Sequence, residues 1–177
     1  MFLVVGVVLA VGLAVGLFTG IGTGSGGGRP VAGAQVPTFS LPRVGGNGTV
    51  GVPADGGGGG KPAILLFFAS WCGPCQAEVP AVASTYRRQQ ATGSPLAKVA
   101  LIGVDASDNN GLKFVRRSGV TFPVGSDREY TVTEGKFAFT GLPEAVFVNR
   151  DGAIAAIHEG AITTAQLVAW EHRLLYG

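Results

Sequence analysis

Cys72 and Cys75, the only two cysteines in the 177-residue chain, are separated by Gly73-Pro74 and preceded by Trp71. An unbroken apolar run, Ala63-Ile64-Leu65-Leu66-Phe67-Phe68-Ala69, leads into them. A short apolar run bounded by turn residues reads as a buried strand. Pro74 lacks a backbone N–H and therefore suits the opening of a helix. A strand that turns straight into a helix, with both thiols at the turn, restricts the chain to an α/β architecture. Two thiols three residues apart at such a junction can close into a disulfide and reopen, which is dithiol–disulfide chemistry.

The rest of the chain is consistent with one domain plus attachments. Of the 30 glycines, 19 lie in residues 1–60, so the first third does not read as a packed core. Residues 2–18 contain nothing polar, and the first charge is Arg29. With Thr19 to Ile21 added, a helix there spans roughly 30 Å, enough to cross a bilayer. Residues 1–21 are therefore expected to be a transmembrane anchor or uncleaved signal. A cleaved signal peptide is the alternative, opposed by the length of the run and the lack of a clear A-x-A site. Residues 22–35 read as a flexible Gly-rich tether. Net charge is +2 without blocks of like charge, so nucleic-acid binding is not indicated.

From Lys61 onward strands and helices alternate. The spacing predicts a strand over 63–70, a helix over 72–90 with Val79, Val82, Ala83 and Tyr86 on one face, and a strand over 98–105. Asp108 can cap a short helix carrying Leu112 and Val115, stopped by Gly119. A brief strand is expected at 121–124 and a hairpin at 145–158, turning at Asn149-Arg150-Asp151-Gly152. Thr163 and Gln166 fit a capping box for a last helix that places Leu167, Val168, Trp170, Leu174 and Leu175 at helical spacing. Residues 36–42 read as a short extended segment and 45–60 as a loop. Asp105, ending a strand, is assigned to capping, and His158 and His172 to structure.

The attacking species in thiol–disulfide exchange is a thiolate, so one thiol must ionise easily. A cysteine at the mouth of a helix does so, because the unsatisfied N–H groups and the helix dipole favour negative charge there. Cysteines in such Cys-x-x-Cys sites titrate at about 3.5–7.5. Cys72 is then the nucleophile, and Cys75, one turn along and facing inward, resolves the mixed disulfide. A zinc site needs about four ligands, and no further cysteine exists to complete one; no metal or other cofactor is expected.

Residues 36–177 resemble the thioredoxin superfamily, and within it the membrane-anchored TlpA/ResA-like branch of AhpC/TSA-redoxin type. The resemblance rests on Val36-Pro37-Thr38-Phe39-Ser40-Leu41, the Phe68–Cys75 segment, Glu78 with Pro80, Gly103-Val104-Asp105, Thr121–Val124, Gly141-Leu142-Pro143 and Phe147–Gly152. It implies a thioredoxin-like three-layer sandwich, a central mixed sheet flanked by helices. It implies an extracytoplasmic thiol–disulfide reductase, for example one serving cytochrome c maturation. Partners would be exported protein disulfides and a membrane electron donor of the thiol-relay type, with the soluble domain monomeric. Pro143 resembles the family's cis-proline facing the cysteine pair, with Leu142 pairing an extended substrate segment. Trp71, Gly73 and Pro74 would complete the substrate-binding face. Glu78 would tune thiol titration or relay protons, since Leu66 stands where cytosolic thioredoxins keep a buried Asp; a solvated helix carboxylate is the alternative. Pro80 is expected to kink its helix.

Three rival functions stand beside this one. A dedicated peroxidase of the same fold is rejected, because Leu65 and Ala69 occupy the Pro and Thr positions its motif needs. A disulfide-donating oxidase differs only in potential. A copper-delivery module would want further Met or His nearby.

Overall fold

Residues 63–68 carry six apolar side chains in succession, and all six are buried. Such a strand needs cover on both faces, which fixes it at the centre of a sheet. In the computed structural model, which describes residues 28–52 and 60–177, this is β3 (Ala63–Phe68). Before it lie β1 (Phe39–Pro42) and β2 (Thr49–Val52), and after it α1 (Cys75–Thr92), β4 (Ala100–Asp105), α2 (Gly111–Arg117), β5 (Val124–Ser126), β6 (Glu144–Val148), β7 (Ile154–Glu159) and α3 (Thr164–Tyr176). The main sheet has the order β5-β4-β3-β6-β7. β4 runs parallel to β3 and to β5, whereas β6 is antiparallel to both its neighbours, β3 and β7, so the sheet is mixed as expected.

Register places the chemistry. Phe67 is opposite Val104 on one side and Glu144 on the other. The carboxyl end of β3, the end of β4 and the beginning of β6 therefore share one edge. Cys72 follows from the first, Asp105 ends the second, and Pro143 precedes the third.

The two faces are closed differently. The three α-helices among the described residues contribute to one core, through Val79, Val82 and Ala83 of α1, Phe114 and Val115 of α2, and Leu167 and Leu174 of α3. Trp170 stacks on Phe147 with centroids 4.3 Å apart. The opposite face, where the resemblance implied helices, is covered by the β1–β2 hairpin and residues 132–139. There Phe67, Phe137 and Phe139 form an aromatic cluster with centroids 4.7 to 5.4 Å apart. Each such side chain contributes about 1.5–3 kcal/mol by burial. Asp127 shapes this cover: its carboxylate accepts the N–H groups of Val132 and Thr133 and the hydroxyls of Thr131 and Thr133.

Several local expectations shift. Helix α1 opens at Cys75, with Pro74 in front of it, so Cys72 precedes the helix and does not begin it. Pro80 does lie within α1. Part of the expected 45–60 loop is β2, because Val50 and Val52 bury alternately against the sheet. The strand expected at 121–124 begins at Val124. Leu112 and Val168 are exposed, and the inward positions fall to Phe114 and Glu171. Residues 29–35, assigned to the tether, run beside β7, with Gly33 N–H donating to Ile154 O and Ile154 N–H to Ala34 O, both at 2.8 Å. The capping box at Thr163 and Gln166 is present. The expected membrane segment, residues 1–21, lies outside the described residues. Among those described, no helix is long and apolar enough to cross a membrane.

Candidate active site

Cys72 and Cys75 are joined as a disulfide, with Cα atoms 5.3 Å apart. The turn that brings them together is closed by Cys72 N–H donating to Ala69 O at 3.2 Å. The N–H of Cys75, the first residue of α1, donates to Cys72 Sγ at 3.3 Å. The sulfur thus caps the helix in place of a conventional hydroxyl or carboxylate. Negative charge on this atom would face the positive end of an 18-residue helix. Cys75 is fully buried, and Cys72 is 4% exposed. Around them Trp71, Gly73 and Pro74 are exposed. Trp71, 58% exposed, is not core packing.

Glu78 follows Cys75 by three residues on α1, on the buried side. It is only 4% exposed, which excludes a solvated helix carboxylate. One oxygen, Oε1, accepts the Ile162 N–H at 2.8 Å. The other, Oε2, is buried with no partner among the described residues. Burial pushes its carboxyl from 4.5 up to about 7, the Ile162 N–H opposing. A carboxyl in that range both gives and takes a proton near neutral pH. The sequence carried no sign of Ile162 as its partner, because the contact joins residues 84 positions apart.

Asp105 has a larger part than capping. Its Oδ1 accepts the Ser107 N–H at 3.0 Å and the Ser107 hydroxyl. Ser107 Oγ in turn accepts the Ser70 N–H at 2.6 Å. Burial raises the Asp105 carboxyl above its ordinary range, the Ser107 hydrogen bonds opposing. A buried carboxylate at the end of β4 thereby pins the residue two before Cys72. An Asp-x-Ser at a strand end was the available signal, and its reach across to Ser70 was not readable from it.

The Leu142–Pro143 peptide is cis, as the resemblance implied. Pro143 is buried, and its carbonyl accepts the Gly160 N–H at 2.9 Å. Leu142 is half-buried and packs against both cores. Next in sequence, Glu144 faces Glu159 across β6 and β7. Arg29 bridges the two carboxylates at 3.0 and 2.8 Å. Its guanidinium lies 5.1 Å from the Phe139 ring centroid. Nothing in the sequence around Arg29 signals this contact with Glu144 and Glu159, 115 and 130 positions away.

The sequence profile of the AhpC/TSA family matches residues 32–157. The thiol-disulfide oxidoreductase ResA of Oceanobacillus iheyensis is 31% identical over 108 residues, 61% of this chain and 54% of that protein. The sporulation thiol-disulfide oxidoreductase A of Bacillus subtilis is 28% identical over 111 residues, 63% of this chain and 67% of its own length. The chain thus spans about half of the first relative and two thirds of the second. The crystal structure of StoA from Bacillus subtilis superposes with a TM-score of 0.61 at 25% identity, covering 80% of this chain and 98% of that one.

Proposed function

The chain belongs to the AhpC/TSA family, and we propose that it acts there as a thiol–disulfide oxidoreductase that reduces disulfides of exported proteins. The observation that carries this reading is the Cys75 N–H on Cys72 Sγ at the mouth of α1, with buried Glu78 one turn behind. The relatives named for thiol–disulfide exchange support it.

In the reduced form Cys72 ionises, helped by the helix N-terminus. Its thiolate attacks one sulfur of a substrate disulfide. A Cys72–substrate S–S bond forms, the substrate S–S bond breaks, and the leaving thiolate takes a proton. Cys75 then loses its proton, with Glu78 as the acceptor, and attacks Cys72 Sγ. The second substrate thiol leaves, and the Cys72–Cys75 disulfide remains. Two electrons have passed from the dithiol to the substrate. A membrane electron donor of the thiol-relay type restores the dithiol. Leu142, beside cis-Pro143, offers its backbone to an extended substrate segment, as in β-strand addition. Residues 1–21, as anchor or uncleaved signal, hold the domain at the membrane with the site on the extracytoplasmic side, where cytochrome c maturation is one process that consumes reduced thiols.

The reduction potential of the Cys72–Cys75 couple tests the direction. A value near about −270 mV or lower supports a reductase, and a value near about −120 mV makes the protein a disulfide donor.

A further inference from the structure

Ser70 and Trp71, just before Cys72 in the chain, line a groove of about 290 Å³ together with Gln76, Asn110, Lys113 and Arg117 among others. The groove is preformed. Its floor is fixed by the Ser70 N–H on Ser107 Oγ, and its wall by Gln76 Nε2 donating to Ser70 O at 3.3 Å. Trp71 presents an exposed aromatic surface at its mouth, one residue from Cys72.

The charge of this groove is one-sided. Lys113 and Arg117 are four apart on α2 and so point the same way. Both are exposed, and neither forms an ion pair among the described residues. Arg117 is steadied by Phe114, whose ring centroid lies 5.1 Å from its guanidinium carbon. Helix α2 carries no acidic residue, and its Arg116 adds a third exposed cation nearby. The one acid lining the groove, Asp108, is turned to its own backbone, where Oδ1 accepts the Asn110 N–H at 3.2 Å. Two cations without ion-pair partners among the described residues outweigh one carboxylate, so the groove is net positive and complementary to negative charge.

We propose that this groove is a recognition subsite for the protein substrate, and that it selects segments carrying acidic side chains beside the target cysteine. The proposal rests on the oxidoreductase reading above and adds a substrate class to it. Lys113 and Arg117 pair with carboxylates of the bound segment, while Trp71 packs against its apolar stems.

The test uses the reduced full chain and two peptides, each with one internal disulfide. They are identical except that the residues flanking one cysteine are Asp and Glu in the first and Lys and Arg in the second. The acidic peptide is expected to be reduced with a second-order rate constant about three- to ten-fold higher, the range two exposed ion pairs supply. Raising the salt to 0.5 M should shrink that advantage, since exposed pairs are screened. The double variant Lys113→Glu/Arg117→Glu should reverse the preference. The charge-matched variant Lys61→Glu/Lys98→Glu, altered at the opposite end of the parallel strands, should keep it. Reduction of both peptides at equal rates by the unaltered protein, at low salt, overturns the proposal and leaves the oxidoreductase reading standing. Reduction of neither peptide overturns both.

Discussion

The hydroxyl oxygen of Ser107 accepts the backbone N–H of Ser70 at 2.6 Å and donates to buried Asp105. This three-member chain ties the end of β4 to the turn that carries the cysteines. Ser107→Ala leaves the Ser70 N–H without its partner and takes one of two hydrogen bonds from Asp105. Orphaning a buried polar group costs about 1–3 kcal/mol. Urea unfolding of the oxidised protein should show a loss of that size. A change under about 0.5 kcal/mol, the range of neutral surface substitutions, would contradict this role.

The role proposed for Glu78 acts through charge. Ionised, it places a negative charge one helical turn from Cys75, which opposes a second negative charge on either sulfur. Glu78→Gln removes that charge. The rate of Cys72 alkylation by iodoacetamide, followed against pH, should therefore rise at lower pH in the variant. The inflection that Glu78 adds near pH 7, where its carboxyl titrates, should disappear. An unchanged profile would reduce Glu78 to a packing residue.

Glu171 makes stability depend on pH. It is buried between α1 and α3, where its carboxylate accepts Gln89 Nε2 at 2.6 Å. Burial pushes its carboxyl from 4.5 up to about 7, the Gln89 hydrogen bond opposing. The folded state then keeps a proton that the unfolded chain releases. Its contribution is complete below about pH 4.5 and is lost as pH rises through about 7. Glu171→Gln should gain roughly 1–2 kcal/mol over the unaltered protein at pH 8 and nothing at pH 4. The new amide also offers a donor to Gln89 Oε1, which is buried without a partner among the described residues. Equal stability of the two proteins at pH 8 would contradict the account.

Arg29 holds together two carboxylates that would otherwise repel. Glu144 and Glu159 are cross-strand neighbours, where like charges destabilise. Arg29→Ala leaves them facing each other, with Glu144 buried. A loss of about 1–2 kcal/mol at pH 8 is expected, most of it restored by adding Glu144→Gln. A double variant no more stable than Arg29→Ala would dismiss the clamp.

The elements most legible in the sequence are those whose signal is local. The apolar run 63–69, the Thr163 capping box, the turn at 149–152 and the cysteine pair each declare themselves within a few residues. What escaped depends on contacts distant in sequence. Nothing near Glu78 announces that Ile162 will bury it. Nothing near Ser70 announces Ser107. Helical spacing put Val168 among the apolar positions of α3, but Glu171 takes an inward position because Gln89 of α1 supplies a hydrogen bond there. The cover of the second sheet face was missed for a related reason. Residues 132–139 form no regular element, and Asp127 folds them by accepting four backbone and side-chain donors.

The central claim, that Cys72 attacks and Cys75 resolves, is tested most directly by trapping. The reduced Cys75→Ser and Cys72→Ser chains are each mixed with an oxidised protein substrate, and adducts are resolved without reductant and mapped by mass spectrometry. Cys75→Ser should accumulate a mixed disulfide through Cys72, and Cys72→Ser should give none. Adducts through Cys75 in the second variant, with none through Cys72 in the first, would reverse the two roles and contradict the account.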